Sequence, residues 1–202
     1  PICDASLDHS ERWVSGIASA STAKACAVMA KAARLYRPFD RKLSEDYARA
    51  AKKAWAWLQK HPERVSFDAH GSEQPMWDDG SEYPSEQGSR AAAAFEIWRS
   101  FRDPAALKDL QARSADTQLA ADGLNGGWSN VGRFAVLGVL SDPQSPATMR
   151  DEARARLFEA VKPWQAQVAT DGYRCALRPD EYYWGSPCVL MEKAALLALA
   201  AR

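Results

Sequence analysis

Two groups of side chains carry most of the chemistry that this sequence could perform. The first is Glu181-Tyr182-Tyr183-Trp184-Gly185-Ser186, three flat rings beside a glycine turn, on a loop that runs into the apolar stretch from Val189 to Ala201. An aromatic face fits the C–H face of a pyranose ring and holds its bulk rigid at low entropy cost, so this loop points towards carbohydrate. The second is Asp78-Asp79, which follows Met76-Trp77 in a glycine-flanked loop. Adjacent carboxylates on such a loop could activate a substrate water, or could simply favour a tight solvated bend.

Other chemistries find little support. His9, His61 and His70 are scattered, and His61 stands before Pro62 at a helix end, a position suited to partnering the helix dipole. There is no Ser/His/Asp order and no Gly-rich phosphate loop. Cys3, Cys26, Cys175 and Cys188 form no CxxC pair and no Cys/His set with zinc spacing, and they read as small buried residues with free thiols. A disulfide between distant members stays open. No metal and no cofactor is expected. The 26 basic and 26 acidic residues cancel, with no face that concentrates Lys and Arg, which argues against nucleic acid and acidic membrane surfaces as partners. No apolar run approaches the roughly 20 residues that a bilayer crossing needs.

The elements that must position these groups are helical. With 202 residues and a 47% hydrophobic fraction, the chain can bury the core of a single domain. It begins at Pro1 and stops at Arg202 inside a helical pattern, and reads as an internal piece of something longer. From Ser21 to Tyr36, the positions Ala25, Val28, Met29, Ala32, Leu35 and Tyr36 recur at three- and four-residue steps, predicting a helix capped by Ser21 or Thr22 and ended by Pro38. A second helix begins near Ser44, carries Tyr47, Ala51, Ala54 and Leu58 on one stripe, and stops before Pro62. Ala91 to Phe101 is a third, and Pro104 opens a short fourth. Val131 to Leu140 is a short apolar helix. Thr148 is expected to cap a long one that buries Ala153, Leu157, Val161, Trp164 and Val168, and the last helix runs from about Cys188 to Ala201. Trp55, Trp57, Trp98 and Trp164 fall within these patterns and read as core. The expected fold class is all-α: an array of hairpins with long loops at one end of the pairs.

Several segments together resemble one family. Glu11-Arg12-Trp13-Val14 followed by Ser21 to Ala30 is similar to the Arg-Trp/Phe-Val loop and S-T-A-A-T-A helix of family-9 glycoside hydrolases. Ala51 to Leu58 resembles the A-x-x-A-W-x-W/Y-L helix. Phe95-Glu96-Ile97-Trp98-Arg99 with Asp103 resembles A-A-E-L-Y-R-A-T-G-D, and Trp128-Ser129-Asn130-Val131-Gly132 the tryptophan loop before a short helix. Tyr173-Arg174 with Asp180 to Ser186 resembles the Y-R…D-Y-Y-W-G-S-N-S block. These matches occur in the family's order and cover nearly the whole chain.

The resemblance implies helical hairpins of an (α/α)6 barrel, incomplete here, in an enzyme that hydrolyses β-1,4-glucans or cello-oligosaccharides with inversion. Inversion needs two carboxyl groups far enough apart to hold a water. The family's base lies in a D-A-G-D segment upstream of the matched stretch, and its acid Glu lies downstream, beyond a G-x-N…H-x-R segment; neither segment occurs in these residues. By resemblance the chain supplies much of an oligo- or polysaccharide cleft, with Trp128 and Trp184 stacking on glucose rings and Tyr183 and Tyr83 as further candidates. Gly88 and Ser89 stand where many members carry an Asp-Glu pair that helps hold calcium, so no calcium site carries over, and Pro187 replaces the Asn that usually follows W-G-S. A secreted or periplasmic location is implied by resemblance alone. Two alternatives stay open: a non-catalytic helical sugar-binding or interaction domain, and an (α/α) barrel enzyme on another polysaccharide that uses Asp78, Asp79 or Glu181.

Overall fold

A computed structural model of the protein describes residues 16–65, 86–114, 124 and 131–201. Asp78, Asp79, Tyr83 and Trp128 lie outside the described residues. Within them the helices are α1 (Ser19–Tyr36), α2 (Arg41–Lys60), α3 (Gln87–Phe101), α4 (Pro104–Ser114), α5 (Gly132–Ser141), α6 (Ala147–Thr170) and α7 (Ser186–Ala200), with a 3-10 turn at Pro179–Glu181. No strand occurs among the described residues, and no helix there is long and apolar enough to cross a membrane.

Connection lengths give the bundle two unlike ends. Residues 37–40, 102–103 and 142–146 are tight turns, whereas residues 61–86, 115–131 and 171–185 are long connections. Short turns between packed helices make antiparallel pairs, so the helix ends from which the long connections leave lie at the opposite end. Helix α1 packs on α2 and α3, α3 on α4 and α5, and α6 on α5 and α7. Helix α3 is the centre of this array. Ala91, Ala92, Ala93 and Ala94 are all buried, together with Phe95, Ile97 and Trp98, because small side chains let three neighbours close around one helix. The core continues through Trp55 and Leu58 of α2, Val136 of α5, and Leu157, Val161 and Trp164 of α6.

The face of α1 differs from the sequence expectation. Its buried residues are Ser19, Ala23, Cys26, Ala30 and Ala33, while Val28, Leu35 and Tyr36 are 63%, 50% and 43% exposed. Size is the physical reason: the close approach of α1 to α2 and α3 admits Ala, Ser and Cys, and turns the larger apolar stripe outward. Along that stripe runs a groove of about 430 Å³ bounded by Val28, Lys31, Phe95, Glu96 and Phe134. Arg34 reaches across from α1 to Glu96 at 3.0 Å.

Several helix starts also differ. Neither Ser21 nor Thr22 caps α1: Ala18 precedes its first turn, and the Thr22 hydroxyl donates back to the Ala18 carbonyl at 2.8 Å. Helix α2 starts earlier than Ser44 because Asp40 caps it, accepting the Leu43 N–H at 2.9 Å, and this frees buried Ser44 to donate to the Ala33 carbonyl of α1 at 2.7 Å. Thr148 does not cap α6. Pro146 precedes that helix, whose first turn then contains Thr148, and the helix continues through Pro163 despite its missing N–H. Cys188 is exposed, against the expectation of burial, whereas Cys26 is fully buried with its thiol pushed up to about 12 by desolvation. His61 closes α2 through its backbone N–H on the Trp57 carbonyl (3.1 Å), and its ring stacks on the Trp57 indole at 4.2 Å.

One buried ion pair joins three helices at the long-connection end. Arg90, in the first turn of α3, donates to Glu86 Oε1 at 2.5 Å, to the Leu58 and Glu63 carbonyls at 3.2 Å, and to the His61 carbonyl at 2.7 Å. The other Glu86 oxygen accepts from the hydroxyl of buried Ser19 at the start of α1. Ser19 also pairs with Val65 through its backbone N–H, at 2.9 Å from the Val65 carbonyl.

Close packing at the centre gives a direct test. A Cβ built on Gly138 of α5 would lie 2.1 Å from Cε1 of Phe95, a side chain only 1% exposed. The Gly138→Ala substitution should therefore destabilise by about 1–3 kcal/mol through overpacking, even though alanine is the better helix former. Chemical denaturation checks it, with partial recovery in Gly138→Ala/Phe95→Leu; an unchanged or raised midpoint in the single variant would contradict the packing.

Candidate functional site

The aromatic segment sits between α6 and α7, and each part of it is tied to a helix end. After α6 the Asp171 carboxylate accepts the N–H groups of Tyr173 (2.9 Å) and Cys175 (3.0 Å), which makes a tight turn. Arg174 takes a left-handed conformation with φ of 56° and donates to the Ala169 carbonyl at 2.8 Å, closing the C-terminus of α6. The turn presents Tyr173 almost fully to solvent.

The Pro179–Glu181 turn follows. Glu181 folds back to accept the Arg178 N–H at 2.8 Å, while the Arg178 guanidinium takes both oxygens of Asp180 at 3.0 and 2.9 Å. The two Glu181 oxygens each lie 2.6 Å from Nζ of Lys193 on α7. Lys193 is 3% exposed; it also donates to the Ala176 carbonyl at 3.2 Å and lies over the Trp164 ring. The segment ends at Gly185, whose φ of 86° suits glycine and turns the chain into α7, with the Ser186 N–H on the Tyr183 carbonyl at 3.0 Å. Pro187 occupies the first turn of α7, where its lack of an N–H costs nothing.

Between these anchors stand Tyr182, Tyr183 and Trp184, which are 62%, 53% and 97% exposed. Trp55, Trp98 and Trp164 are buried and Trp57 is half-buried, so the helical tryptophans are core as expected and Trp184 is the one held in solvent among those described. Of the candidate site residues, Glu181, Tyr183 and Trp184 lie among the described ones, and all three stand on this one loop. The Tyr182 hydroxyl is turned to Cys175 Sγ at 3.4 Å.

Electrostatics separate binding from acid–base work in this loop. Burial raises the Glu181 carboxyl, but the Arg178 N–H and the Lys193 ammonium outweigh it and hold the group below its usual range. The Arg178 guanidinium likewise holds Asp180 low. A general acid needs a raised pKa and a free proton position, and an attacking water needs a free base oxygen. In this structure both Glu181 oxygens are engaged by Lys193 and one also by the Arg178 N–H, so the group is held in place within the loop. Sequence reasoning passed over Lys193 as a site element. Val189, Lys193 and Leu196 share the buried stripe of α7, and a cation on a buried stripe needs a carboxylate that the sequence alone does not identify.

The sequence model described as Glycosyl hydrolase family 9 matches residues 6–202. Endoglucanase D of Acetivibrio thermocellus is 28% identical over 200 residues, covering 96% of this chain and 30% of that protein. Endoglucanase C of Cellulomonas fimi is 27% identical over 189 residues, 90% of this chain and 16% of its own length. Among solved structures, AaCel9A in complex with cellobiose-like isofagomine superposes with a TM-score of 0.75 at 28% identity, over 92% of this chain and 34% of that one. The family 9 endoglucanase J30 superposes with a TM-score of 0.76 at 23% identity, over 96% and 35%, a likeness of fold. The chain thus spans about a third or less of each of these proteins, and its helices form part of an (α/α)6 barrel.

The Glu181 clamp has a pH signature. Because the folded pKa is lowered, the stabilisation it gives is complete above the ordinary value of 4.5 and is lost as pH falls through the depressed folded value. An NMR titration of the Glu181 side-chain carboxyl should give a midpoint below 4.5, and a midpoint at or above it would contradict the geometry.

Proposed function

The chain belongs to glycosyl hydrolase family 9, and from that membership we propose that it forms one sugar-binding wall of the cleft of a β-1,4-glucan hydrolase. The observation that carries this reading is the row of exposed rings from Tyr182 to Trp184, fixed at Glu181 and Gly185 and presented beside the N-terminus of α7. A ring as exposed as Trp184 forgoes the burial that ordinarily retains tryptophan, and stacking on a glucosyl face would recover it. Trp128 and Tyr83 belong to the same proposal through the connections that carry them, which leave from the same end of the bundle.

The reaction we assign to the whole protein is inverting hydrolysis of β-1,4-glucan or cello-oligosaccharides. An acid and a base roughly 6.5–9.5 Å apart would flank the scissile bond with a water between them. The D-A-G-D and G-x-N…H-x-R segments do not occur in these residues, and Asp180 and Glu181, beside the rings, are both held below their usual range and engaged. On this reading we assign the catalytic pair to parts of the protein outside residues 1–202, and Asp78 and Asp79 are the alternative candidates within them. A secreted or periplasmic location fits a polymeric substrate.

Calorimetric titration with cellohexaose, alongside reducing-sugar release from soluble cellulose, tests the proposal on the chain as it stands. Binding without hydrolysis is expected. Trp184→Ala should weaken binding by about 1 kcal/mol, roughly fivefold in Kd. Hydrolysis that disappears in Asp78→Asn or Asp79→Asn would place the chemistry inside the chain and overturn the assignment. A folded chain that does not bind cellohexaose would overturn the binding wall.

A further inference from the structure

We propose that Lys193 is a positioning residue for the glycan-binding rings: from inside α7 it clamps Glu181 and so holds Tyr183 and Trp184 in the geometry that receives a sugar. The inference rests on the reading of this loop as a sugar-binding wall, and it assigns that wall its support.

Four observations carry it. Lys193 is 3% exposed and lies on the buried stripe of α7 between Val189 and Leu196, so its ammonium cannot reach bulk water without disturbing the helix. Its three donor positions are all used, on two Glu181 oxygens at 2.6 Å and the Ala176 carbonyl at 3.2 Å. The Trp164 face on α6 lies 5.6 Å from Nζ and backs the site. One ammonium thus joins α7, the strand of loop at Ala176 and the 3-10 turn, while the aromatic row begins at the very next residue after Glu181. Burying a cation on an apolar helix face is costly, and a leucine there would pack without that cost.

The physical effect is preorganisation. Tyr183 and Trp184 project into solvent and have few neighbours of their own, so their backbone is held from the two ends: at Gly185 by the entry into α7 and at Glu181 by Lys193. Releasing the Glu181 end would leave the rings in place chemically but unfixed in space. Each sugar encounter would then have to order the loop, weakening affinity by about three- to tenfold. Lys193 touches no exposed surface from which it could contact the ligand, so its influence must pass through the loop.

The test uses the 202-residue chain with Lys193→Met, which keeps the buried stem, Glu181→Gln, which keeps an acceptor for the Arg178 N–H, Trp184→Ala and the double variant Lys193→Met/Trp184→Ala. Amide hydrogen exchange over residues 178–186 reads the clamp without any sugar, and calorimetry with cellohexaose reads its consequence. Faster exchange in that segment is expected for Lys193→Met and Glu181→Gln, with the core of α3 still protected, and both variants should bind three- to tenfold more weakly. The double variant should lose less than the product of the two single losses, because part of the Lys193 effect passes through the Trp184 ring. Unchanged exchange over 178–186 overturns the clamp, as does additive loss in the double variant. If the wild-type chain does not bind cellohexaose, the sugar-binding reading fails while the exchange experiment still decides whether Lys193 holds the loop.

Discussion

The interaction on which the rest depends is the buried pair of Arg90 and Glu86. Helix ends leave backbone carbonyls without partners, and a guanidinium with five donors in a fixed fork can satisfy several at once. Arg90 does this for the C-terminal region of α2, taking the carbonyls of Leu58, His61 and Glu63, while Glu86 holds it from the other side and reaches Ser19 at the start of α1. Breaking such a pair by removing one member ordinarily costs about 3–5 kcal/mol, because the survivor is left charged and buried. The beginning of α1, the end of α2 and the beginning of α3 are therefore fixed to one another at a single point. The connection of residues 61–86 leaves from that point.

The aromatic loop is built on the same logic at smaller scale. A buried cation, Lys193, gathers a carboxylate and a backbone carbonyl from the connection between α6 and α7. A loop lacks the hydrogen-bond ladder of a helix, and here a charged group reaching out of the helical core fixes its polar groups. The core itself is made of small residues. Ala91 to Ala94 on α3 and Ala23 and Ala30 on α1 allow the close helix approach, and Gly138 on α5 makes room for Phe95 in the middle of the array. Rigidity at the centre and charged anchors at one end together allow bulky rings to stand in water without collapsing onto the protein.

Much of this was legible in the sequence, and the failures share a cause. The hydrophobic period located α2 and α6 and their buried stripes, since Leu58, Leu157 and Trp164 are large and faces of large residues dominate a periodic pattern. It placed α1 on the wrong face for the same reason: Val28 and Leu35 outweigh Ala23, Cys26 and Ala30 in any hydrophobic count, although packing distance, not hydrophobicity, chose the buried side. Helix starts were misread where a polar residue stood near the start without supplying the cap, as with Thr148 behind Pro146. The rings of the proposed site stand in solvent, in keeping with a cluster of aromatics beside a glycine outside the helical pattern. Lys193 was not read as part of the site, because a single lysine in an apolar run is informative only once its distant carboxylate is known to be in reach.

The central claim is that sugar binds at the long-connection end of the bundle, on the rings that Lys193 and Gly185 hold. The most direct measurement is an NMR titration of the isotopically labelled chain with cellohexaose, following backbone amides and tryptophan indoles. The account predicts that the largest shifts fall on the Trp184 indole and on the amides of residues 182–186, with the short turns at residues 37–40, 102–103 and 142–146 unmoved. Shifts confined to those short turns or to the groove beside Val28, or no shifts at millimolar cellohexaose with the chain folded, would contradict it.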